Sequence, residues 1–429
     1  MLERLFKLSE RKTTVKTEVM AGLTTFLTMA YIIFVNPGML ATTGMDYGAV
    51  FVATCLAAAV GCLIMGLYAN YPIALAPGMG LNAFFSFTVV GQMGFSWQVA
   101  LGAVFLSGAC FFLLSVFKIR EWIINSIPLS LRGGIAAGIG LFVGFVALQN
   151  TGVIVADPST LVTLGEVTSW PVAMVALGFL LTVALYYRKV PGAVMIGILL
   201  ITIISVITGH VHVNGIASMP PSITPTLLQL DIFNAMEIGL VSIIFSFLFV
   251  DLFDTSGTLI AVAQKGGLLD KRHRLPGLGN ALMSDSLATM AGATLGTSTT
   301  TSYVESTAGI AAGGRTGLTA VTVGVLFLAC LFFAPLAAII PSYATAPAML
   351  FVAVLMMHSM VEIEWNDITE SAPVVIAAIT MPLSYSITNG IAFGFISYTC
   401  IKLLGGRYKE LNLAMFVLSA LFITKLVFF

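Results

Sequence analysis

Polar residues are sparse beyond Glu18, and the chain runs as a series of long apolar stretches separated by short polar breaks. A helix needs about 20 apolar residues to cross the hydrocarbon core of a bilayer. Stretches of that kind lie near 17–41, 48–68, 72–90, 97–117, 132–151, 169–187 and 190–208. A second series lies near 235–262, 280–295, 297–313, 316–340, 345–361, 371–385 and 388–404, and a last apolar stretch covers 411–429. The pattern predicts an all-α polytopic membrane protein of 14 transmembrane spans, with both flanks of the set in the cytoplasm. Before the first span, Met1 to Glu18 is charged and has no apolar core of a cleavable signal. Leu2, Leu5 and Phe6 recur there at helical spacing among Arg4, Lys7 and Arg11, which predicts a short interfacial helix.

Composition sharpens this reading. The chain is 58% hydrophobic and only 9% charged, with a mean hydropathy of +1.02. A soluble domain clothes its surface with about a quarter charged residues, so most of this surface must face lipid. A net charge of +0 gives no sign of nucleic acid or another polyanionic partner. Positive charge collects on the cytoplasmic side of membrane proteins. With fourteen crossings, every Lys and Arg but Lys425 falls on one side, including Lys118, Arg120, Arg132, Arg188, Lys189, the cluster from Lys265 to Arg274 and Arg315. The outer loops near 42–47, 91–96, 152–168, 209–234 and 341–344 hold none. Lys425 would sit near the outer face if 411–429 crossed, so that stretch is expected to lie in the inner interface. All five cysteines lie in apolar runs without metal-type spacing and read as small buried hydrophobes.

Seven plus seven spans suggest a duplication. Val35-Asn-Pro-Gly38-Met-Leu40 shares Gly and Leu at one spacing with Asp254-Thr-Ser-Gly257-Thr-Leu259. Leu56-Ala57 with Gly61 matches Leu287-Ala288 with Gly292, and Ile127-Pro128 matches Ile340-Pro341. An odd number of spans per half forces the halves to insert with opposite topology, giving two inverted 7-span repeats. Spans 3 and 10 are both broken. Pro72, Pro77, Gly78 and Gly80 interrupt the first, and the threonine run from Thr297 favours extended chain in the second. Extended backbone at membrane depth persists only where its polar groups are paired within the protein. The two stretches are therefore expected to pair as short antiparallel β-strands, each followed by a half-helix whose N-terminus faces one midplane cavity.

Ionisable residues inside spans are costly and mark candidate sites. Asp251, Asp254 and Glu305 stand out. Asp251, Asp254, Thr255 and Thr258 fall at i, i+3, i+4 and i+7, one polar stripe on an apolar helix. Asp285 beside Ser284, at the start of span 9, reads as an N-cap. Glu362, Glu364, Asp367 and Glu370 read as a solvated cytoplasmic loop, and His358 as a hydrogen-bonded packing residue. Gly133, Gly134, Gly138, Gly140 and Gly144 offer the small-residue spacing of close helix contact. Gly78-x-Gly80 has no strand and crossover around it and is no dinucleotide fingerprint.

Three ordered motifs carry a family resemblance: Ala76-Pro-Gly-Met-Gly-Leu-Asn82-Ala-Phe-Phe85, Asp254-Thr-Ser-Gly257-Thr-Leu, and Thr299-Thr-Thr-Ser-Tyr-Val-Glu305-Ser-Thr-Ala-Gly309. From about Leu2 to the C-terminus the chain resembles the AzgA-like purine permeases, the hypoxanthine, guanine and adenine branch of the nucleobase–cation symporters. The resemblance implies a core domain of spans 1–4 (17–117) and 8–11 (235–341). It also implies a gate domain of spans 5–7 (130–208) and 12–14 (345–404). A cytoplasmic segment, 1–16, and an interfacial one, 405–429, flank them. Proton-coupled uptake by an elevator-like movement and frequent homodimers are further implications, with no cofactor and no metal. By motif the family's substrate acids correspond to Asp254 and Glu305, and its span-3 glycine and asparagine to Gly80 and Asn82. Thr301 and Val304, beside Glu305, join them as candidate substrate contacts. Uracil-type relatives carry a histidine four positions after the span-8 acid, where this chain has Thr258. Coupling is then expected to rest on carboxylates, with Asp254 and Glu305 foremost and Asp251 contributing.

The chemistry of a purine fits those residues. The base is flat, neutral and rich in N–H donors and ring acceptors. Carboxylates accept from its N–H groups, an Asn amide serves both kinds, and backbone N–H groups donate to ring nitrogens. A carboxyl in low dielectric holds a proton more tightly than one in water and can carry it across. An anion exchanger of the same inverted plan would need positive half-helix ends free of competing carboxylates. A membrane-embedded enzyme would need a nucleophile–base pair or metal-type spacing within the spans, and the sequence has neither.

Overall fold

The computed structural model describes residues 2–117, 119–213, 215, 217–236, 241–268 and 275–428. Lys118, the basic stretch 269–274 and the 237–240 part of the eighth span lie outside the described residues. The first half opens with α1 (Leu2–Phe6), α2 (Val15–Met29), α3 (Ile32–Ala41) and α4 (Tyr47–Ile64). Strand β1 (Leu75–Pro77) leads into α5 (Met79–Ala83), whose turns widen into a π-helix through Gln92. Then come α6 (Trp97–Val116), α7 (Ile119–Ser126) and α8 (Leu129–Asn150). An antiparallel hairpin, β2 (Ile154–Asp157) and β3 (Leu161–Leu164), precedes α9 (Trp170–Tyr187) and α10 (Ala193–Ile207).

The second half begins with α11 (Ile232–Ala235), α12 (Val241–Lys265) and α13 (Leu278–Leu295). Strand β4 (Thr300–Ser302) precedes α14 (Ser306–Ala311), α15 (Gly317–Cys330) and α16 (Ala334–Ile339). The chain continues through α17 (Ser342–Met357), α18 (Ile368–Leu383), α19 (Ile387–Leu404) and α20 (Leu413–Phe428). Among the described residues, nine helices are long and apolar enough to cross a membrane, and α10, α18 and α20 are shorter apolar helices.

Local chemistry sets where these helices start. Thr14, Asp46, Ser96, Thr316, Asp367 and Ser386 each accept a backbone N–H from the first turn, as N-cap side chains do. Glu18, buried in α2, accepts from the N–H groups of Arg315 (2.9 Å) and Thr316 (3.2 Å) and so ties α2 to the head of α15. The glycines of α8 do what their spacing predicts. A Cβ on Gly134 would stand 2.7 Å from Val374 of α18, and one on Gly140 would stand 2.8 Å from Met356 of α17. Only hydrogen at those positions lets α8 seat between the two helices.

Several expectations are corrected. Asp285 is no N-cap, because α13 starts seven residues earlier, at Leu278, and Asp285 sits buried on its interior face. Glu370 is not loop: it lies in the first turn of α18, where the buried Lys402 reaches it at 2.6 Å and Tyr398 donates to it at 2.8 Å. Asp367 caps the same helix and pairs with Arg407. Cys55 and Cys62 are buried as expected, whereas Cys110 and Cys400 are exposed on helix faces that turn outward. His358 is exposed at the end of α17 rather than packed. The predicted N-terminal helix forms, and Phe6 and Leu8 pack with Leu318.

Candidate functional site

Strands β1 and β4 pair antiparallel, Leu75 opposite Ser302, Ala76 opposite Thr301 and Pro77 opposite Thr300. The pairing runs on past the strands. Gly78 N–H donates to Thr299 O at 2.9 Å, and Tyr303 N–H donates to Ala74 O at 3.0 Å. Side chains serve groups the two-stranded ladder leaves over: Ser306 Oγ accepts from Ala74 N–H at 3.0 Å, and Tyr303 donates to Pro77 O at 2.5 Å. All six strand residues are buried, so this pairing is what makes extended chain tolerable there. The predicted strands in the two broken spans are therefore present, each followed directly by a helix, α5 after Gly78 and α14 after Glu305.

Glu305 occupies the N-cap position of α14, and its Oε1 accepts from the Tyr31 hydroxyl at 2.5 Å. Tyr31 stands at the break between α2 and α3, where the chain opens a gap in the helix. The glycine of α14 brings that helix hard against α2, since a Cβ on Gly309 would stand 2.0 Å from Thr25 Oγ1. Asp254 projects from α12 to the strand crossing, on the same side of Gly78 as the Thr301 hydroxyl. Both groups close over Gly78, whose missing Cβ would stand 2.7 Å from Thr301 Oγ1 and 3.4 Å from Asp254 Oδ2.

Asn82 is fully buried on α5, where Ser298 donates to its Oδ1 and its Nδ2 has no hydrogen-bond partner among the described residues. Gly80 faces α8 and α19: a Cβ there would meet Ile139 at 2.7 Å and Ile387 at 3.8 Å. Val304, half-buried, contributes its carbonyl to the first turn of α14 through Thr307 N–H at 3.0 Å. The crossing thus brings Thr301 and Asp254 over Gly78, with Val304 and Glu305 at the head of the helix that follows β4 and Gly80 and Asn82 on the helix that follows β1.

Asp251 does not share this place. The polar stripe on α12 divides: Asp254 turns to the strands, while Asp251 and Thr255 turn to Asp285 on α13 and to Arg120 on α7. Arg120 is fully buried and lies 3.0 Å from Asp285 Oδ2 and 3.9 Å from Asp251 Oδ2. Sequence reasoning missed Tyr31, Arg120 and the part Asp285 plays. Arg120 read only as one more cytoplasmic charge, and no local pattern ties Tyr31 to a glutamate 274 positions away.

The family model described as a permease family matches residues 16–393. The chain belongs to this permease family. It is 51% identical over 428 residues to the adenine permease AdeP of Escherichia coli strain K12, covering 100% of this chain and 96% of that protein. It is 47% identical to the guanine/hypoxanthine permease PbuG of Bacillus subtilis strain 168, covering 100% of both. The resemblance to AzgA-like purine permeases holds, and the permease is a multi-pass protein of the cytoplasmic membrane. Among solved structures, the transmembrane domain of a cyanobacterial bicarbonate transporter, BicA, is similar with a TM-score of 0.65 at 16% identity. The match covers 89% of this chain and 97% of that one. The overall structure of SLC26A9 gives a TM-score of 0.64 at 11% identity, covering 92% of this permease and 67% of that chain. These two likenesses establish the fold alone.

Proposed function

We propose that this permease imports purine nucleobases, adenine, guanine and hypoxanthine among them, in symport with protons. The observation that carries the reading is Asp254 and Thr301 closing over Gly78 at the β1–β4 crossing, with Glu305 at the head of the helix that follows β4. Two carboxylates and a hydroxyl around paired backbone suit a flat neutral base that offers N–H donors and ring acceptors together. The names of the relatives, adenine permease and guanine/hypoxanthine permease, point to the same substrate class. Asn82, whose amide nitrogen has no partner among the described residues, supplies a donor on the neighbouring helix.

In this reading spans 1–4 and 8–11 form a core that carries the site, and spans 5–7 and 12–14 form a gate. The packing supports that division. Helix α4 packs on α13 and α15, and α6 on α13, while α8, α9, α17, α18 and α19 pack among themselves. The two groups meet along α5 and α12 against α8, with Gly80 at the seam. The inverted repeat has support of the same kind. Exchanging the halves turns the α6–α13 contact into α15–α4 and the α8–α18 contact into α17–α9. A sliding core then moves the substrate site past the gate, and a homodimer of gates would hold the frame.

An anion exchanger is the rival, since the solved structures of similar fold include a bicarbonate transporter. Two half-buried carboxylates, Asp254 and Glu305, oppose an anion there. The deciding experiment is uptake of labelled adenine and hypoxanthine into proteoliposomes, competed by unlabelled bases at two pH values with and without sodium. Accumulation driven by an inward proton gradient and blocked by purines supports the reading. Bicarbonate or sulfate flux without purine competition would refute it.

A further inference from the structure

Outside the substrate crossing lies a second polar cluster that the reading above does not use. Asp251, Thr255, Asp285 and Arg120 are each fully buried, on α12, α13 and α7. Thr255 Oγ1 is 3.1 Å from Asp251 Oδ1 and 3.0 Å from Asp285 Oδ1. A hydroxyl carries one proton, so it can donate to only one carboxylate. Both short contacts are hydrogen bonds only if one of the carboxyls is itself protonated and donates to Thr255.

The charges lead to the same place independently. Among the described side chains, two carboxylates and one guanidinium leave a net negative charge in a fully buried site, which burial penalises heavily. Arg120 is committed to one side. It donates to Asp285 Oδ2 at 3.0 Å, Leu282 O at 3.2 Å and Ser286 Oγ at 3.3 Å, and its guanidinium lies 4.0 Å from the centre of the Phe111 ring. Asp251 Oδ2 sits 3.9 Å from Arg120 and has no hydrogen-bond partner among the described residues. Asp285 is therefore the ionised acid and Asp251 the one that needs a proton. The nearest further ionisable groups among the described side chains are Asp254, one turn along α12, and Glu305 beyond it. Of the helices packed on α12, α8 carries Arg132, which donates to Ile127 O, and α19 carries Lys402, which pairs with Glu370 and Glu410.

We propose that Asp251 is a proton-binding site separate from the substrate carboxylates: Asp251 donates through Oδ1 to Thr255, and Thr255 donates to Asp285, held ionised by Arg120. This deepens the proton-symport reading and rests on it for its role in transport. When the proton leaves Asp251, Thr255 can serve only one acid, and Arg120 faces two carboxylates at once. Loading and unloading the proton then shifts Arg120 between α12 and α13.

Infrared titration of the purified full-length permease in lipid nanodiscs, without substrate, tests the site itself. The wild type should show the C=O band of a protonated carboxylic acid near neutral pH. Asp251→Asn should remove that band, while Asp254→Asn and Glu305→Gln keep it. Thr255→Val should move it toward the position of a carboxyl without a hydroxyl acceptor, and Thr255→Ser should leave it in place. Asp285→Asn frees Arg120 to pair with Asp251 and should abolish the band as well, an effect that loss of packing alone would not give. Should Asp251→Asn fail to fold, Thr255→Val and Asp285→Asn decide the matter. A band unchanged in Asp251→Asn, or unmoved in both other variants, overturns the proposal, as does a band that sodium abolishes. Because no substrate is present, a failure of purine symport would show in uptake with the band intact.

Discussion

Tyr31 donates its hydroxyl to Glu305 Oε1 at 2.5 Å, joining the break between α2 and α3 to the head of α14. The bond occupies one carboxylate oxygen and fixes the plane of the group, which leaves Oε2 for a ligand. A hydrogen bond to a charged group contributes about 1.5–3 kcal/mol, roughly 10- to 150-fold in affinity. Glu305→Gln should lose that much affinity for purine if the carboxylate contacts the base. Tyr31→Phe should lose part of it. The pair should be non-additive, because Tyr31 acts through Glu305. Calorimetry on the two single variants and the double variant checks this, and full additivity would leave Tyr31 a packing residue.

Gly80 sits where the proposed core meets the gate. An added Cβ would stand 2.7 Å from Ile139 Cγ2, closer than side chains approach. Overpacking of this kind costs about 1–3 kcal/mol, a shift of roughly 5- to 150-fold in the equilibrium that closes the seam. Gly80→Ala should slow uptake by that order while the protein stays folded. Ile139→Ala on top of it should restore much of the rate. If the second change gives no recovery in proteoliposome uptake, the contact does not limit movement.

Much of the site was legible in the chain because it depends on residues whose backbone effects are local. Pro77, Gly78 and the Thr297–Thr301 run disallow continuous helix, and at membrane depth that leaves mutual pairing as the solution. The acids Asp254 and Glu305 could be singled out because carboxylates are rare in apolar spans. What escaped are the relations between distant segments. Asp285 looked like a cap because its polar neighbours suggested a helix start, and nothing local shows that Arg120 folds inward on α7 to meet it. The split of the α12 stripe is of the same kind. Periodicity shows that Asp251 and Asp254 share a face, and only the packed neighbours decide that they serve different partners. The β2–β3 hairpin lay unread in an outer loop.

Orientation is open to direct test. On the fourteen-span reading, the one-sided basic residues are expected to leave the β2–β3 hairpin outside and the turn at Arg188 and Lys189 inside. In a background with the exposed Cys110 and Cys400 replaced, Ser159→Cys should react with an impermeant thiol reagent added to intact cells. Lys189→Cys should react only after the membrane is opened. Labelling of both from outside would break the fourteen-span reading.

Asp254 separates binding from coupling. Its carboxylate lies with Thr301 over Gly78, in reach of a base held at the crossing. An Asn there keeps a carbonyl and an N–H₂ for hydrogen bonds but can take no proton. Asp254→Asn should therefore retain measurable purine binding, weakened by about tenfold for the lost charge-assisted bond. It should also abolish accumulation against a gradient, because the substrate acid no longer alternates between charged and neutral forms. Asp251→Asn removes the other proposed proton site and should leave binding near the wild-type level while shifting the pH optimum of uptake. The comparison is equilibrium binding beside pH-jump uptake into proteoliposomes for each variant. If Asp254→Asn still concentrates purine in response to a proton gradient, Asp254 is a binding residue only. The coupling proton would then belong to Glu305 or to the Asp251–Thr255–Asp285 cluster, and the Asp251→Asn arm of the same experiment tells the two apart.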